Sequence, residues 1–421
     1  MKKSALSQLA RRTPEPAISW LMKLSLEHPK LISLAAGFTD NASLPLEAAR
    51  VLIEDILASP AKGRPALQYG STVGDPLLRE LTAAHLQQSD GVRHARIHAP
   101  ARTIITHGSQ QLLYITTEAL CDPGDIVLVE DPTYFVYLGI TQSHGLRCRG
   151  VQLDEDGINL AHLERVLEEL KRNGELPRVK MLYLVTYFQN PTGRTTTFAK
   201  KQAALALLAR YERAAGHPIY LLEDAAYREL RFTGPDECSA LAAEFPDRVL
   251  YAGTYSKPFA SGARVGFGIL PEPVFTAVAR IKGNHDFGTA NLLQQLLSRA
   301  LATGAYEKHL PVLRARYAAK VARMTAAVRK HFPAAVQWAE PRGGLYVWAK
   351  LPARVKSGAK SKLFQTALKQ NVIYVPGELC YAEDAVRRKP NCEMRISFGG
   401  AKDADIPVGI ERLGRVVAEQ L

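Results

Sequence analysis

The stretch TIITHGSQQLLYITTEAL, residues 103–120, indicates the fold class. Its first four residues form a β-branched run that is typical of a buried strand, whereas the part from Ser109 has the longer apolar pattern of a helix. Gly108 separates the two. A strand that leads through a glycine turn into a helix is a building unit of parallel sheets that are covered by helices.

The same alternation continues along the middle of the chain, where a second long helical pattern begins at Phe198. Six further runs have the composition of strands: 125–132, 146–154, 179–190, 219–227, 249–257 and 264–271. We therefore predict an α/β fold with a mostly parallel, seven-stranded sheet and helices on both faces.

Beyond about residue 272 long helical patterns dominate to roughly residue 330, and strand patterns return at 343–352, 371–377 and 392–400. This return predicts a smaller α/β unit after the large one, as expected for 421 residues. The lysine- and glycine-bearing segment 355–362 predicts a flexible loop.

Composition excludes several classes of protein. The chain is 47% hydrophobic and 23% charged, as in folded globular proteins. No apolar run reaches the roughly 20 residues of a membrane span, and the beginning MKKSALSQLARRTPEP lacks the apolar part of a signal peptide. We expect a cytoplasmic protein without membrane contact. Five scattered cysteines, without a C-x-x-C pair, predict neither a disulfide framework nor a metal site.

The net charge of +13 permits nucleic-acid binding or the attraction of anionic small molecules. Lysines and arginines are spread along the chain, with local clusters only at 354–362 and 387–389. A spread of this kind favours solubility and the attraction of a phosphate-bearing cofactor or a dicarboxylate substrate, and we expect no nucleic-acid partner.

Polar residues follow five of the predicted strands, and ligands of open parallel sheets bind beyond the carboxyl ends of strands. Glycine followed by a helix start at Ser109 suits a phosphate, and Arg264 offers a planar fork for the same group. The alternative for Ser109 is a simple helix cap.

The other strand ends have groups that suit a planar carbonyl cofactor. Lys257 at a buried strand end can present a free amine, Asp224 can pair with a protonated ring nitrogen, and Tyr134 can lie flat on a ring. Each has an alternative: a surface lysine, a structural ion pair or cap, and a packed surface aromatic. Asn190, in Asn-Pro-Thr-Gly, could serve a turn alone.

All five strand ends together resemble the class I/II aminotransferases of the fold-type I enzymes, which depend on pyridoxal 5′-phosphate (PLP), and are most similar to the branch of kynurenine and 2-aminoadipate aminotransferases. The resemblance covers nearly the whole chain. The segments that carry it are Ile32-Ser33-Leu34-Ala35-Ala36-Gly37, Leu67-Gln68-Tyr69-Gly70, Asn190-Pro191-Thr192-Gly193, Asp224-x-x-Tyr227, Tyr255-Ser256-Lys257 with Gly262-Ala263-Arg264, and Arg395-Ile396-Ser397-Phe398. With this fold we predict a large PLP-binding domain of residues 46–300 and a small domain built from 1–45 and 301–421.

The resemblance implies catalytic roles for three residues. Lys257 holds PLP as a Schiff base and shuttles the substrate proton, Asp224 pairs with the pyridinium nitrogen, and Tyr227 binds the ring hydroxyl oxygen together with Asn190. Tyr134 stacks on the ring.

The resemblance also implies two binding regions and a homodimer. The phosphate is bound by Ser109, Gln110, Thr254, Ser256 and Arg264. Tyr69 reaches the phosphate of a neighbouring subunit, so that the active sites of a homodimer are shared. Arg395 binds the α-carboxylate of the substrate, with help from Asn190 and the backbone near Gly37.

The implied activity is a ping-pong transfer of the amino group from an L-amino acid to a 2-oxo acid, with 2-oxoglutarate as acceptor. A PLP-dependent lyase, decarboxylase or cyclopropane-forming synthase begins in the same way and stays open. A PLP-sensing transcription factor needs a DNA-binding module, and only about 30 residues precede the first motif. Aromatic, aminoadipate-like and broad substrate ranges all stay open.

Overall fold

A computed structural model of the chain describes residues 5–91 and 97–421. Residues 1–4, with which the predicted small domain begins, lie outside this part. The strands are β1 Ile32–Ser33, β2 Thr103–Thr106, β3 Ile126–Asp131, β4 Arg147–Asp154, β5 Gly157–Ile158, β6 Val179–Val185, β7 Tyr220–Asp224, β8 Val249–Thr254, β9 Gly266–Ile269, β10 Gln337–Trp338, β11 Tyr346–Lys350, β12 Val372–Ile373, β13 Val375–Pro376 and β14 Glu393–Ser397. The helices are α1 Gln8–Arg12, α2 Ala17–Glu27, α3 Leu46–Leu57, α4 Pro60–Leu67, α5 Pro76–Asp90, α6 Gly108–Leu120, α7 Phe135–His144, α8 Leu160–Arg172, α9 Phe198–Ala215, α10 Val274–Asp286, α11 Asn291–Ala302, α12 Ala305–His331, α13 Lys362–Lys369 and α14 Asp405–Ala418.

The large sheet has the strand order β2-β9-β8-β7-β6-β3-β4-β5. Its central strands, from β8 to β4, pair in parallel, and β9 runs antiparallel to both β8 and β2. All seven predicted strands are present, which confirms the mostly parallel α/β sheet. An eighth strand, the two-residue β5, extends the edge through a hairpin with β4.

Burial explains why these runs form the centre of the sheet. Strands β7 and β8 are buried along their whole length, because helices cover both faces. Helix α6 packs on β8 and β9, and α8 packs on β4. The inner face of α8 is formed by Leu163, Val166, Leu167 and Leu170, which recur at helical spacing.

Helices α10, α11 and α12 fill residues 274–331, as the long helical patterns predicted. A second, antiparallel sheet follows with the order β10-β11-β14-β13. Near the N-terminus β1 pairs in parallel with β12, so the segment around Ile32 adds a strand to the C-terminal part of the chain. Domain boundaries near residues 46 and 300 remain a prediction.

Segment 355–362 is held by the C-terminal part instead of forming the flexible loop that its composition predicted. Ser357 is fully buried, and its hydroxyl donates to the carbonyl of Glu393 over 2.6 Å. The amide of Ala359 donates to the Glu378 carboxylate over 3.0 Å. The composition of the segment predicted flexibility because it contains no information on these partners, which lie later in the chain.

Strand direction brings the predicted site residues to one edge of the large sheet. Since β2 and β8 are both antiparallel to β9, β2 points the same way as the parallel strands. The carboxyl ends of β2, β3, β6, β7 and β8 therefore meet on one side. Within residues 5–91 and 97–421, no helix has both the length and the apolar character of a membrane span.

Candidate active site

A cavity of about 380 Å³ lies at this edge of the sheet. Its wall includes every predicted site residue except Tyr69: Gly37, Ser109, Gln110, Tyr134, Asn190, Asp224, Tyr227, Thr254, Ser256, Lys257, Arg264 and Arg395. These residues come from the carboxyl ends of five strands of the large sheet and the segments that follow them, from β14 of the second sheet and from the segment after β1. The structure therefore brings together residues that are more than 350 positions apart in sequence.

One end of the cavity combines a helix N-terminus with a guanidinium group. Helix α6 begins at Gly108, and no side chain caps its first turn. The Arg264 Nη2 atom lies 2.7 Å from the place where a Cβ of Gly108 would stand, so only glycine leaves room for the guanidinium. Ser109 occupies the second position of the helix, which excludes the alternative that it is merely the N-cap.

The same end has further hydrogen-bond donors around Arg264. Its Nη1 donates to the Ser256 hydroxyl over 3.3 Å, and the Ser256 amide donates to Thr254 Oγ1 over 3.1 Å. Among the described residues no carboxylate lies within ion-pair distance of Arg264. A guanidinium beside free helix N–H groups, without an acidic partner, suits a phosphate.

Lys257 lies in the loop after β8 and opens onto the cavity. Burial lowers the pKa of its ammonium group to about 8, with smaller contributions from the positive charges of Arg264 and Arg395. Its Nζ donates to the Gly37 carbonyl over 2.8 Å. A lysine in this environment has an amine that is partly uncharged near neutral pH, as nucleophilic attack on a carbonyl requires. This geometry excludes an ordinary surface lysine.

Asp224 ends β7 and is almost completely buried. One carboxylate oxygen accepts from the Tyr183 hydroxyl over 2.9 Å and the other from the Ala226 amide over 3.2 Å. Burial raises the pKa of Asp224 to about 6, because these two hydrogen bonds lower it by less than desolvation raises it. In the part of the chain that the structure describes, no cation pairs with this carboxylate, so it is not part of an internal ion pair.

Arg395 on β14 is a buried cation with unused donors. Its Nη1 donates to Asn190 Oδ1 over 2.8 Å and its Nη2 to the Ala35 carbonyl over 2.6 Å, whereas Nε has no hydrogen-bond partner among residues 5–91 and 97–421. Its guanidinium carbon lies 4.3 Å from the ring centre of Tyr346. No described carboxylate neutralises it, and a fork of this kind suits a substrate carboxylate.

Arg395, Asn190, Tyr227 and Tyr346 form a continuous chain of hydrogen bonds along the cavity wall. Asn190 Nδ2 donates to the Tyr227 hydroxyl over 3.5 Å, and that hydroxyl lies 2.9 Å from the Tyr346 hydroxyl. Tyr134 borders the cavity immediately before α7 and is partly buried against the hydrophobic core, so it is not a surface aromatic. This burial raises the pKa of Tyr134. Asn190 therefore does more than form a turn.

Tyr69 is the exception among the predicted residues. Its side chain is 82% exposed, and its ring packs edge-on against Phe287 with 5.4 Å between ring centres. The wall of the cavity in the same chain does not include it.

Several residues of the cavity were not predicted from the sequence. Tyr346 lies within the apolar strand β11, and Val185 pairs with Asp224 in register across β6 and β7. Tyr183, which supports Asp224, alternates with apolar residues in β6. Neither tyrosine stood out in the sequence, because Tyr183 lies inside the predicted strand 179–190 and Tyr346 inside the predicted strand 343–352.

The cavity fits PLP on the evidence of its own charges. It contains a site suited to a phosphate at Arg264, a desolvated amine at Lys257 and a buried carboxylate at Asp224 with which no described cation pairs. These are the three groups that a phosphate, an aldehyde and a basic ring nitrogen need. The guanidinium of Arg395, elsewhere in the same cavity, suits a carboxylate.

Comparison with known proteins gives consistent results. The family model "Aminotransferase class I and II" matches residues 29–413. "Aromatic-amino-acid aminotransferase 1" of Thermococcus litoralis is 32% identical over 95% of this chain and 91% of its own. A crystal structure of kynurenine aminotransferase from Pyrococcus horikoshii in complex with PMP superposes with a TM-score of 0.90 at 32% identity, over 99% and 98% of the two chains. The α-aminoadipate aminotransferase of Thermus thermophilus, bound to a phosphopyridoxyl derivative of leucine, gives a TM-score of 0.83 at 30% identity over 99% and 98%.

Proposed function

The chain belongs to the class I and II aminotransferases, which use PLP as cofactor. From this premise we propose that it transfers the amino group of an L-amino acid to 2-oxoglutarate in two half-reactions of the ping-pong type. Transamination itself agrees with the aminotransferases that resemble the chain over nearly its full length. The acceptor and the reaction order are the parts that require a test.

When bound, PLP delocalises the negative charge that the substrate Cα carries after losing its proton. Lys257 supplies the amine that joins the cofactor covalently, and afterwards it accepts and returns the Cα proton. Its pKa of about 8 supports this role, because a group with a pKa near the working pH can both take and give a proton.

Asp224 holds a proton on the ring nitrogen. The support for this assignment is that its carboxylate is buried without a cation, and an ionised carboxylate in such a place is stabilised by a positively charged partner. Asn190 and Tyr227 bind the ring hydroxyl oxygen, and Tyr134 lies against the ring. Ser109, Gln110, Thr254, Ser256 and Arg264 bind the phosphate.

Arg395 orients the amino acid by its α-carboxylate, with Asn190 and the backbone at Gly37 nearby. Orientation matters because the Cα–H bond breaks readily only when it stands perpendicular to the conjugated ring. The observation that carries the proposal is the pair of opposite, unneutralised buried charges, Asp224 and Arg395, in one cavity with the amine of Lys257.

We also propose a homodimer in which Tyr69 completes the phosphate site of the partner. The support is an exposed apolar surface around Tyr69, where the side chains of Leu67 and Phe287 are 69% and 57% exposed. Exposed aromatic and aliphatic groups that lie together are typical of subunit interfaces. A cytoplasmic location is part of the proposal, and the five free cysteines fit a reducing compartment.

The test of the amino transfer is a panel of aromatic, acidic and aliphatic amino acids, each incubated with purified enzyme and 2-oxoglutarate and scored for glutamate. In a single half-reaction without acceptor, each active site should release one 2-oxo acid and lose its visible absorbance, and 2-oxoglutarate should restore the absorbance. Release of carbon dioxide or ammonia instead of glutamate would identify a decarboxylase or a lyase.

Covalent attachment is tested separately. Borohydride reduction of the holoenzyme followed by peptide mapping should find the cofactor on Lys257. Lys282 is the internal control, because it is also buried but forms an ion pair with Asp286 over 2.7 Å. A cofactor adduct on Lys282, or none at all, contradicts the assignment.

A further inference from the structure

We propose that Tyr346 is a positioning residue of the transamination: its hydroxyl donates to the Tyr227 hydroxyl, and its ring supports the guanidinium of Arg395. The inference rests on the proposed function, in which Tyr227 donates to the ring hydroxyl oxygen of PLP. It adds a group that touches both the cofactor-binding and the carboxylate-binding residues.

The direction of the hydrogen bonds follows from which atoms can donate. Arg395 has only donors, so the Asn190 atom that faces it over 2.8 Å is the carbonyl oxygen Oδ1. The amide nitrogen of Asn190 consequently faces Tyr227, and the Tyr227 oxygen accepts from it. The orientation of the amide is thus fixed by chemistry.

Tyr227 then has one proton to give. If that proton is donated to the cofactor, the hydrogen bond of 2.9 Å between Tyr227 and Tyr346 requires Tyr346 to be the donor. Hydrogen bonds in a buried chain polarise one another, so an oxygen that accepts two bonds makes its own O–H a stronger donor. Tyr346 therefore strengthens the hydrogen bond that Tyr227 makes to the cofactor.

Packing holds Tyr346 in this place. The side chain is 2% exposed, and a Cβ on Gly37 would lie 2.5 Å from its hydroxyl oxygen, so glycine at position 37 is what leaves room for that hydroxyl. The Gly37 carbonyl accepts from Lys257 over 2.8 Å. On the other side, the Tyr346 ring centre lies 4.3 Å from the Arg395 guanidinium carbon, a distance at which a cation and an aromatic face attract.

The ionisable groups near the two hydroxyls come from several elements: Tyr134 before α7, Lys257 after β8, Tyr317 on α12 and Arg395 on β14. Asp224, at the end of β7, lines the same cavity. Only the hydroxyl of Tyr346 is removed in Tyr346→Phe, so any change in titration is assigned to this hydrogen bond. The matched control is Tyr374→Phe, which removes a buried hydroxyl that donates to the Ser357 carbonyl over 2.9 Å and is not part of the cavity wall.

The first experiment titrates the visible absorbance of the holoenzyme with pH. A donor to the ring oxygen competes with the protonated nitrogen that links Lys257 to PLP, so a weaker donor raises the midpoint. We expect Tyr346→Phe to raise it by about 0.3–0.7 pH units, roughly a two- to fivefold change in proton affinity, with no change in Tyr374→Phe. Tyr346→Leu, the second variant, lacks the hydroxyl as well and should shift the midpoint by the same amount.

The second experiment repeats Tyr346→Phe in a Tyr227→Phe background. Because Tyr346 acts through Tyr227, its substitution should no longer move the midpoint there. An equal shift in both backgrounds, or no shift in either, overturns the proposed relay. A wild-type protein without titratable visible absorbance would overturn the proposed function, and this inference with it. If the wild-type protein titrates, the variants test only the effect of Tyr346 on Tyr227.

Binding of an unreactive carboxylate distinguishes the contribution of the Tyr346 ring from that of its hydroxyl. With 3-phenylpropionate as probe, Tyr346→Phe keeps the ring beneath Arg395 and should bind within about twofold of wild type, whereas Tyr346→Leu should bind about fivefold more weakly. Equal affinities of the two variants would contradict the supporting role of the ring.

Discussion

Replacement of Asp224 by asparagine tests the central charge of the site. The carboxylate is buried, no cation of the described residues pairs with it, and burial raises its pKa from 3.8 to about 6. The folded protein therefore binds a proton more tightly than the unfolded chain, and stability is lost as the pH rises from about 4 through 6. A shift of about 2.2 pKa units, at 1.36 kcal/mol each, corresponds to about 3 kcal/mol. In the apoenzyme at pH 8, Asp224→Asn should be more stable than wild type by up to this amount.

The assay is urea unfolding of the apoenzyme at pH 4 and pH 8, where the stabilisation should be present only at the higher pH. Asp122→Asn, at an exposed carboxyl, is the control and should change stability by less than about 0.5 kcal/mol. With PLP bound the order should reverse, because the wild-type carboxylate gains a positive partner, and the variant should bind PLP about 10- to 100-fold more weakly. A variant apoenzyme less stable than wild type at pH 8 would refute the reasoning.

Three further predictions concern other parts of the site. Arg395→Lys keeps the charge but loses the planar guanidinium, so kcat/KM for the amino acid should fall about 10- to 100-fold. The control is Arg79→Lys, which replaces another guanidinium that donates to a backbone carbonyl and should leave kcat/KM unchanged. Equal losses in the two variants would contradict a carboxylate-binding role of Arg395. The rate at which apoenzyme captures PLP should rise with pH and level off above the Lys257 pKa of about 8, and a stopped-flow rate that keeps rising to pH 10 would be inconsistent with a desolvated amine. Phe287→Glu places a charge beside Tyr69 and should convert dimer to monomer in sedimentation, whereas an unchanged dimer would place the interface elsewhere.

Much of the fold was predictable because its signals are local. The run at 103–120 contains its own strand, glycine turn and helix, and the structure has β2 and α6 there. The same holds for β7, whose apolar residues are followed by Glu223 and Asp224. Since the carboxyl ends of parallel strands share an edge, the strand pattern placed the predicted residues from Ser109 to Lys257 together, whereas Gly37 and Arg395 rested on the family resemblance.

The remaining features depend on contacts that no local pattern contains. Lys320 is fully buried because Asp40, 280 positions earlier, pairs with it over 3.0 Å, although a lysine in a helix is ordinarily a surface residue. The sequence pattern likewise predicts Tyr346 only as a core residue of a strand. Its proposed role depends on Tyr227 and Arg395, which come from distant segments. The proposed contact of Tyr69 with a second subunit would involve another chain, so no pattern within one chain contains it.

The charges of the cavity explain why the folded chain needs its ligands. Arg395 directs two of its donors to neutral acceptors, Asn190 and Ala35, and Asp224 accepts from the neutral donors Tyr183 and Ala226. Neither charge neutralises the other, so each retains an unsatisfied electrostatic demand. In the proposed function the basic ring nitrogen of the cofactor would pair with Asp224 and a substrate carboxylate with Arg395, so that free energy lost by burying these charges would be recovered as binding affinity. It follows that a variant which neutralises Asp224 should stabilise the apoenzyme and weaken PLP binding, and a variant with both properties improved would contradict this account.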